Sequence, residues 1–170
     1  MNNTFWTDFD RRWHERLEII ESEGVRRSLA IVLAHSGDSW FWLLGMGLVW
    51  ILGDAAWKGW ALRMGVSIVA LATLVLMMKF AFRRARPTGS WGSIYRKSDP
   101  HSFPSGHAAR AVLLAVLSLG LGPVWLAALL LPWAPLVALA RVAMGLHYPT
   151  DVLAGGAVGL IAGLIALLIV

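Results

Sequence analysis

Two long stretches without a charged residue constrain what this chain can fold into. Residues 111–140 and 152–170 contain no Asp, Glu, Lys or Arg. A helix of about 20 apolar residues spans the hydrocarbon core of a bilayer. Of the 170 residues, 58% are hydrophobic and 15% are charged, and the mean hydropathy is +0.65. These values favour an integral membrane protein over a soluble domain with buried core helices.

The first charge-free stretch predicts two helices instead of one. Gly122 and Pro123 interrupt it, and proline both lacks a backbone N–H donor and clashes with the preceding helical turn. We therefore expect helices over roughly residues 105–121 and 124–141. Residues 152–170 supply one further span.

Two shorter charge-free runs, residues 39–53 and 64–78, precede these helices. The segment that joins them carries Asp54, Lys58 and Arg63. Flanking tryptophans and snorkelling cations can extend such runs into membrane spans. The predicted fold class is all-α, an integral membrane bundle of about five transmembrane helices.

The first 28 residues predict an amphipathic helix that lies on the membrane surface. Apolar side chains recur there at helical spacing: Trp6, Phe9, Trp13, Leu17 and Ile20. Charged residues occupy the other faces, and no secretory signal peptide is expected. The alternative is a solvated helix packed on the domain. We predict a single domain, with an interfacial segment at 1–28 and a transmembrane core at 29–170.

Cysteine usage and charge narrow the chemistry and the partners. The chain has no cysteine, which excludes disulfides, thiolate catalysis and cysteine metal sites. Its net charge is +5 and its pI is about 10.4. The cations concentrate at the ends of predicted helices, so we expect anionic lipid headgroups as partners and no nucleic acid.

A first cluster of cations lies where a predicted span ends. Lys79, Arg83 and Arg86 are spaced by four and three residues. This spacing puts them on one helical face, and Pro87 then closes the helix. Such a face presents several cations to one anion. The alternative is a positive flank that anchors the span.

A second motif, residues 104–107, starts the next apolar helix. Ser105 at the helix start leaves backbone N–H groups pointing outward, and Gly106 lets a ligand approach the backbone, which favours anion binding. His107 in the first turn could protonate a leaving oxygen. The alternative is a simple capped helix with an interfacial histidine. Arg110, one turn inside the helix, either reaches the site or snorkels to the surface.

A third motif follows the next apolar helix. Arg141 ends that helix, His147 lies in the following turn, and Pro149 suits the first position of the last helix. Asp151 then falls four residues after His147, within reach of its imidazole. A carboxylate that holds one nitrogen of a histidine leaves the other as a nucleophile. The alternative is an acidic helix start beside a loop histidine.

Together the three motifs resemble those of the type-2 phosphatidic acid phosphatase superfamily. That family has a lysine separated by six residues from Arg-Pro, then Pro-Ser-Gly-His, then Ser-Arg followed by a histidine and an aspartate. The order and spacing agree over roughly residues 79–155. One departure is visible, since Ala140 replaces the usual serine before Arg141. We also expect the first of the family's six spanning helices to be absent.

The resemblance implies roles for individual residues. His147 would attack phosphorus to form a phosphohistidine, Asp151 would orient it, and His107 would protonate the leaving group and activate water. Lys79, Arg86, Ser105, Gly106 and Arg141 would bind the phosphate. From their positions alone, Arg83 and Arg110 are further candidates for supporting this site. Neither a metal nor another cofactor is expected.

The resemblance also indicates a lipid substrate. Candidates are phosphatidic acid, phosphatidylglycerophosphate, and polyisoprenyl phosphate or diphosphate. Residues 35–39 and the residues flanking the second motif are similar to the polyisoprenoid branch of the family. The alternative function is a non-hydrolytic lipid-phosphate binder or transporter. Haloperoxidases share the motifs, but they are soluble.

Five spans place the N-terminal segment and all three motifs at one face of the membrane. The positive-inside rule assigns that face to the cytoplasm, because it also carries N-terminal arginines. Most bacterial members of the superfamily face outward, so the two arguments disagree. We expect a protein of the bacterial cytoplasmic (inner) membrane with its active site at the outer face.

Overall fold

The computed structural model describes residues 4–17, 24–87 and 99–169. Their helices are α1 (Thr4–Leu17), α2 (Val25–Ser36), α3 (Ser39–Leu52), α4 (Ala55–Phe82), α5 (Gly106–Leu121), α6 (Val124–Ala143) and α7 (Pro149–Ile169). Of these described helices, α4, α6 and α7 are long and apolar enough to cross a membrane, and α3 and α5 are shorter apolar helices. The predicted all-α membrane bundle with about five apolar helices is confirmed.

The helix boundaries agree with the predicted breaks at one turn and differ at another. Gly122 and Pro123 separate α5 from α6, as predicted. Lys58 and Arg63, expected in a linker, lie inside α4. That prediction was wrong because Asp54 caps α4 directly, its carboxylate accepting a hydrogen bond from the Trp57 N–H at 3.0 Å. Helices α3 and α4 are therefore joined by a turn of two residues, Gly53 and Asp54.

The N-terminal segment forms an amphipathic helix, as predicted. Helix α1 covers Thr4–Leu17 up to the limit of the described residues, and α2 begins at Val25. The predicted apolar position Ile20 falls outside the described residues. Trp13 is exposed, whereas Asp10, one turn before it, is buried against the start of α7. The helix is therefore attached to the bundle through a carboxylate.

Helix α5 lies at the centre of the bundle between α4, α6 and α7. The inward residues of α5, such as Leu113, Leu114 and Leu117, are fully buried. The outward residues of α7, such as Ile161 and Leu164, are exposed, as expected for side chains that face lipid tails. The hydrophobic core therefore runs along α5.

Glycines on α7 allow it to approach α5 at backbone distance. Gly155, Gly159 and Gly163 are buried on the face of α7 that meets α5. A Cβ on Gly155 would collide with the carbonyl oxygen of Ser105, and one on Gly159 with that of Ala109. Small residues at such positions are the usual means of close helix packing in membranes.

All three sequence motifs lie at one end of the bundle, as predicted. The first begins in the last turn of α4 and continues beyond it, the second starts α5, and the third joins α6 to α7. The turn between α2 and α3 lies at the same end, since Asp38 contacts His107 there. The turns after α3 and α5 form the opposite end.

We predict that Gly159→Ala destabilises the bundle and that Gly156→Ala does not. The new methyl group at 159 would overlap the Ala109 carbonyl and force α5 and α7 apart, whereas the one at 156 would lie 3.8 Å from Val112 Cγ2 in ordinary contact. Overpacking of this kind costs about 1–3 kcal/mol. Thermal unfolding of the two variants in the same detergent checks this. Equal melting temperatures would contradict the prediction.

Candidate functional site

A cavity of about 190 Å³ lies at the motif end, between α4, the start of α5 and the loop before α7. Its polar lining comes from all three motifs and one further acid: Lys79, Asp99, His107, Arg110 and His147. Its apolar wall comes from α4: Leu71, Ala72, Val75 and Leu76. Two larger clefts, of about 530 and 440 Å³, lie along the apolar helices and carry no charged side chain. Only the smaller cavity, among these three, combines charge with an apolar approach.

Two buried cations of the first motif converge on one carboxylate oxygen. Asp99 Oδ2 lies 2.6 Å from Lys79 Nζ and 2.9 Å from Arg86 Nη2. Lys79 also donates to the carbonyl of His101 at 2.8 Å, and Arg86 Nε donates to the carbonyl of Asp99 at the same distance. The pair is thereby prepared to hold an anionic oxygen between two positive charges.

The first motif reaches this arrangement by a route that the sequence did not predict. Helix α4 ends at Phe82, because Arg83 adopts a left-handed conformation with φ 49° and its N–H closes the helix on the carbonyl of Lys79. The prediction that Lys79, Arg83 and Arg86 share one helical face is therefore wrong. Arg83 is exposed and donates to the carbonyl of Phe80 at 3.0 Å, and it does not line the cavity.

The second motif starts α5 as expected, with Ser105 as its N-cap. The Ser105 hydroxyl accepts a hydrogen bond from the Ala108 N–H at 3.4 Å, and its own N–H donates to the carbonyl of Asp151 at 2.9 Å. Gly106 lines the cavity. The start of α5 is thereby fixed directly against the start of α7.

Two side chains of α5 contact the turn between α2 and α3. His107 Nε2 lies 2.6 Å from Asp38 Oδ1, and buried Arg110 donates to the carbonyl of Gly37. Asp38 Oδ2 also lies 3.2 Å from His35 Nδ1. Burial alone would raise the pKa of Asp38, but its hydrogen bonds and charge interactions with His107 and His35 lower it well below its ordinary value. An anionic carboxylate therefore holds one nitrogen of His107.

The third motif places a buried histidine between a cation and a carboxylate. His147 Nε2 lies 3.3 Å from Arg86 Nη1, and Nδ1 lies 3.7 Å from Asp151 Oδ2. Arg141 is buried in the last turn of α6 and donates to the carbonyl of Ala34 at 3.3 Å. Burial, followed by the charges of Arg141, Arg86 and Lys79, lowers the pKa of His147 well below its ordinary value. His147 is therefore neutral at neutral pH, as a nucleophilic imidazole must be.

Asp151 is completely buried and is held from two sides. Its Oδ1 accepts a hydrogen bond from Arg84 Nη1 at 2.7 Å, and its Oδ2 accepts one from the Tyr148 N–H at 2.8 Å. Two arginines of this segment thus reach the third motif: Arg86 contacts His147, and Arg84, next to the residue that the sequence singled out, contacts Asp151.

The structure therefore brings together nine of the ten residues that the sequence identified at this end of the bundle. Arg83 is the exception. Sequence reasoning missed the contacts of Arg84, Asp38 and Asp99. The available signal was their position: Arg84 follows the end of α4, Asp38 precedes the apolar helix α3, and Asp99 lies in the loop before the second motif.

Several known proteins are similar to this chain in sequence or in fold. The family model of the PAP2 superfamily matches residues 60–170. An undecaprenyl-diphosphatase of Sulfolobus acidocaldarius is 30% identical over 134 residues, which are 77% of this chain and 64% of that relative. The chain thus spans just under two thirds of the length of this relative.

Two solved structures are similar to this fold. The crystal structure of Aquifex aeolicus LpxE has a TM-score of 0.67 and 25% sequence identity, covering 88% of this chain and 90% of that one. A PAP2-type phosphatidylglycerolphosphate phosphatase from Bacillus subtilis has a TM-score of 0.76 and 21% identity, covering 97% and 85%. The second likeness concerns the fold alone.

Proposed function

The chain belongs to the PAP2 superfamily, and on that premise we propose that it is a membrane lipid phosphatase that acts through a phosphohistidine. One observation carries this proposal: buried His147 lies between Arg86 and Asp151, in a cavity that also contains Lys79 and is walled by apolar α4. A nucleophile, an anion site and an approach for a lipid tail thus share one cavity.

His147 Nε2 is the atom proposed to attack phosphorus. Asp151 lies on the Nδ1 side and would stabilise the positive charge that develops on the ring. An N–P bond forms while the bond from phosphorus to the lipid oxygen breaks. Water then attacks the phosphohistidine, releasing inorganic phosphate and restoring the neutral imidazole.

The cations would bind the phosphoryl oxygens during both steps. Lys79 and Arg86 converge on Asp99 Oδ2, so that oxygen marks where a phosphoryl oxygen would lie. Arg141, Ser105 and the N–H of Gly106 would complete the anion site at the start of α5. Fixed donors of this kind stabilise charge in the transition state without needing to reorganise.

His107 is the proposed acid and base, and Asp38 is the residue that positions it. With Nε2 held by Asp38 at 2.6 Å, proton transfer to the substrate would run through Nδ1. His107 would donate a proton to the leaving lipid oxygen and then take one from the attacking water. Asp38 would keep the ring oriented and would stabilise the imidazolium that the first step requires.

The favoured substrate is a polyisoprenyl diphosphate, with phosphatidic acid and phosphatidylglycerophosphate as alternatives. The name of the Sulfolobus acidocaldarius relative, undecaprenyl-diphosphatase, supports this choice. The apolar wall formed by Leu71, Val75 and Leu76 suits a hydrocarbon chain that approaches from the membrane. A diphosphate would lose its terminal phosphate and leave a lipid monophosphate.

We expect His147→Gln to lower the rate of phosphate release by at least ~10³-fold, because the nucleophile is lost. Phosphate release by the purified protein should be measured with polyisoprenyl diphosphate, phosphatidic acid and phosphatidylglycerophosphate, each with EDTA present. The favoured substrate should be the fastest, and EDTA should have no effect. A folded His147→Gln protein with wild-type activity would overturn the mechanism. Binding without hydrolysis by the wild type would favour a lipid-phosphate binder or transporter.

We expect Asp38→Asn to slow hydrolysis of a lipid monophosphate by roughly 10-fold or more, since His107 loses its carboxylate. An aryl phosphate, whose leaving group needs no proton, should be affected much less. Asp54→Asn is the control, because Asp54 caps α4 at the opposite end. Equal losses on both substrates would place the effect in the shared hydrolysis of the phosphohistidine, and wild-type rates on both would contradict the positioning role of Asp38.

We further propose that the motif end faces the outside of a bacterial cytoplasmic (inner) membrane. The cysteine-free chain permits a direct test with single cysteines at two exposed positions, Arg83→Cys near the motif end and Lys58→Cys near the other. A membrane-impermeant maleimide applied to intact cells should label Arg83→Cys alone. Labelling of Lys58→Cys alone would place the motif end in the cytoplasm.

A further inference from the structure

The amphipathic helix α1 contributes a buried carboxylate to the start of α7. Asp10 is 2% exposed. Its Oδ1 accepts a hydrogen bond from the Thr150 N–H at 3.0 Å, and its Oδ2 accepts one from the Thr150 hydroxyl at 2.6 Å. A buried carboxylate is tolerated only when it is hydrogen-bonded and paired with a positive charge. Asp10 therefore occupies a specific site and does not merely face solvent from a surface helix.

The positive charge that pairs with Asp10 is Arg84, which also pairs with Asp151. Arg84 Nη2 lies 2.5 Å from Asp10 Oδ2, and Nη1 lies 2.7 Å from Asp151 Oδ1. The guanidinium also lies over the Tyr148 ring, 4.3 Å from its centroid. Burial alone would lower the pKa of Arg84, but its hydrogen bonds and charge interactions with the two aspartates raise it. One arginine thus connects α1 to the acid beside His147.

We propose that Asp10 and Arg84 are positioning residues for Asp151, so that α1 is part of the hydrolytic site. This inference rests on the proposed function. With Oδ1 of Asp151 held by Arg84, its Oδ2 is the oxygen that faces His147 Nδ1. Asp10 fixes the guanidinium in the orientation that makes this contact. The planar fork of arginine holds two carboxylates in a fixed relative geometry, whereas the rotating ammonium of lysine imposes no such geometry.

The geometry separates this role from substrate binding. Neither Asp10 nor Arg84 lines the cavity, so their loss should alter turnover more than affinity. Small displacements of groups that orient a nucleophile cost up to about 100-fold in rate. The same displacement should change the surroundings of the His147 ring even when no substrate is present.

Asp10→Asn tests the inference, with Asp8→Asn as the matched control. Asp8 lies on the same helix and pairs with Arg11 at the protein surface. Asparagine at position 10 can still accept from Thr150, but it carries no charge for Arg84. We expect kcat to fall by about 10-fold or more with KM little changed, and Asp8→Asn to match the wild type. In ¹³C-labelled protein without substrate, the His147 Cε1 resonance, assigned with His147→Gln, should shift in Asp10→Asn alone.

Arg84→Lys provides a second test if Asp10→Asn does not fold. Lysine keeps the charge but lacks the planar fork that fixes the two carboxylates relative to each other, so the same loss of kcat and the same resonance shift are expected. A wild-type kcat and an unshifted His147 resonance in a folded variant would overturn the inference. Absence of hydrolysis by the wild type would instead overturn the proposed function. The His147 resonance would then still show whether Asp10 and Arg84 position Asp151.

Discussion

Backbone contact between α5 and α7 is the constraint on which the site depends. The Ser105 N–H donates to the carbonyl of Asp151 at 2.9 Å, which joins the second motif to the third without any side chain. That contact requires Gly155 and Gly159, because a Cβ at either position would occupy the place of an α5 carbonyl. In a bilayer, where apolar helices gain little by leaving lipid, such close packing supplies much of the association energy. The relative positions of His107 and Asp151 follow from it.

The second requirement is to keep several cations in an apolar bundle. Removing a charge from water costs several kcal/mol unless other groups replace its hydration. Two of the buried arginines find these groups at the end of α2, where Arg141 donates to the carbonyl of Ala34 and Arg110 to that of Gly37. The C-terminal end of a helix carries a partial negative charge that favours cations. The short helix α2 therefore stabilises the motif end electrostatically.

The sequence predicted the elements of this structure better than the contacts between them. Apolar runs and the Gly122–Pro123 break predicted the helices closely, because span length and proline geometry are local properties. Motif spacing predicted which residues would gather, but it assumed that α4 continues past Phe82. The left-handed conformation of Arg83 ends α4 and changes the direction of the chain. As a result Arg84, and not Arg83, faces the third motif and contacts Asp151. The partners of His107 and Arg84 lie 69 and 74 residues away, and no local pattern indicates such contacts.

The carboxylate between Lys79 and Arg86 has a thermodynamic consequence. Without a ligand, Asp99 already neutralises part of the positive charge in the cavity. An incoming anion therefore exchanges with an internal one, and its net affinity is the difference between two ion-pairing energies. Such an exchange lowers the affinity for every phosphate, the released product included. A site that returns to its own counterion after each cycle can thus combine strong electrostatic stabilisation of a transient charge with weak retention of inorganic phosphate.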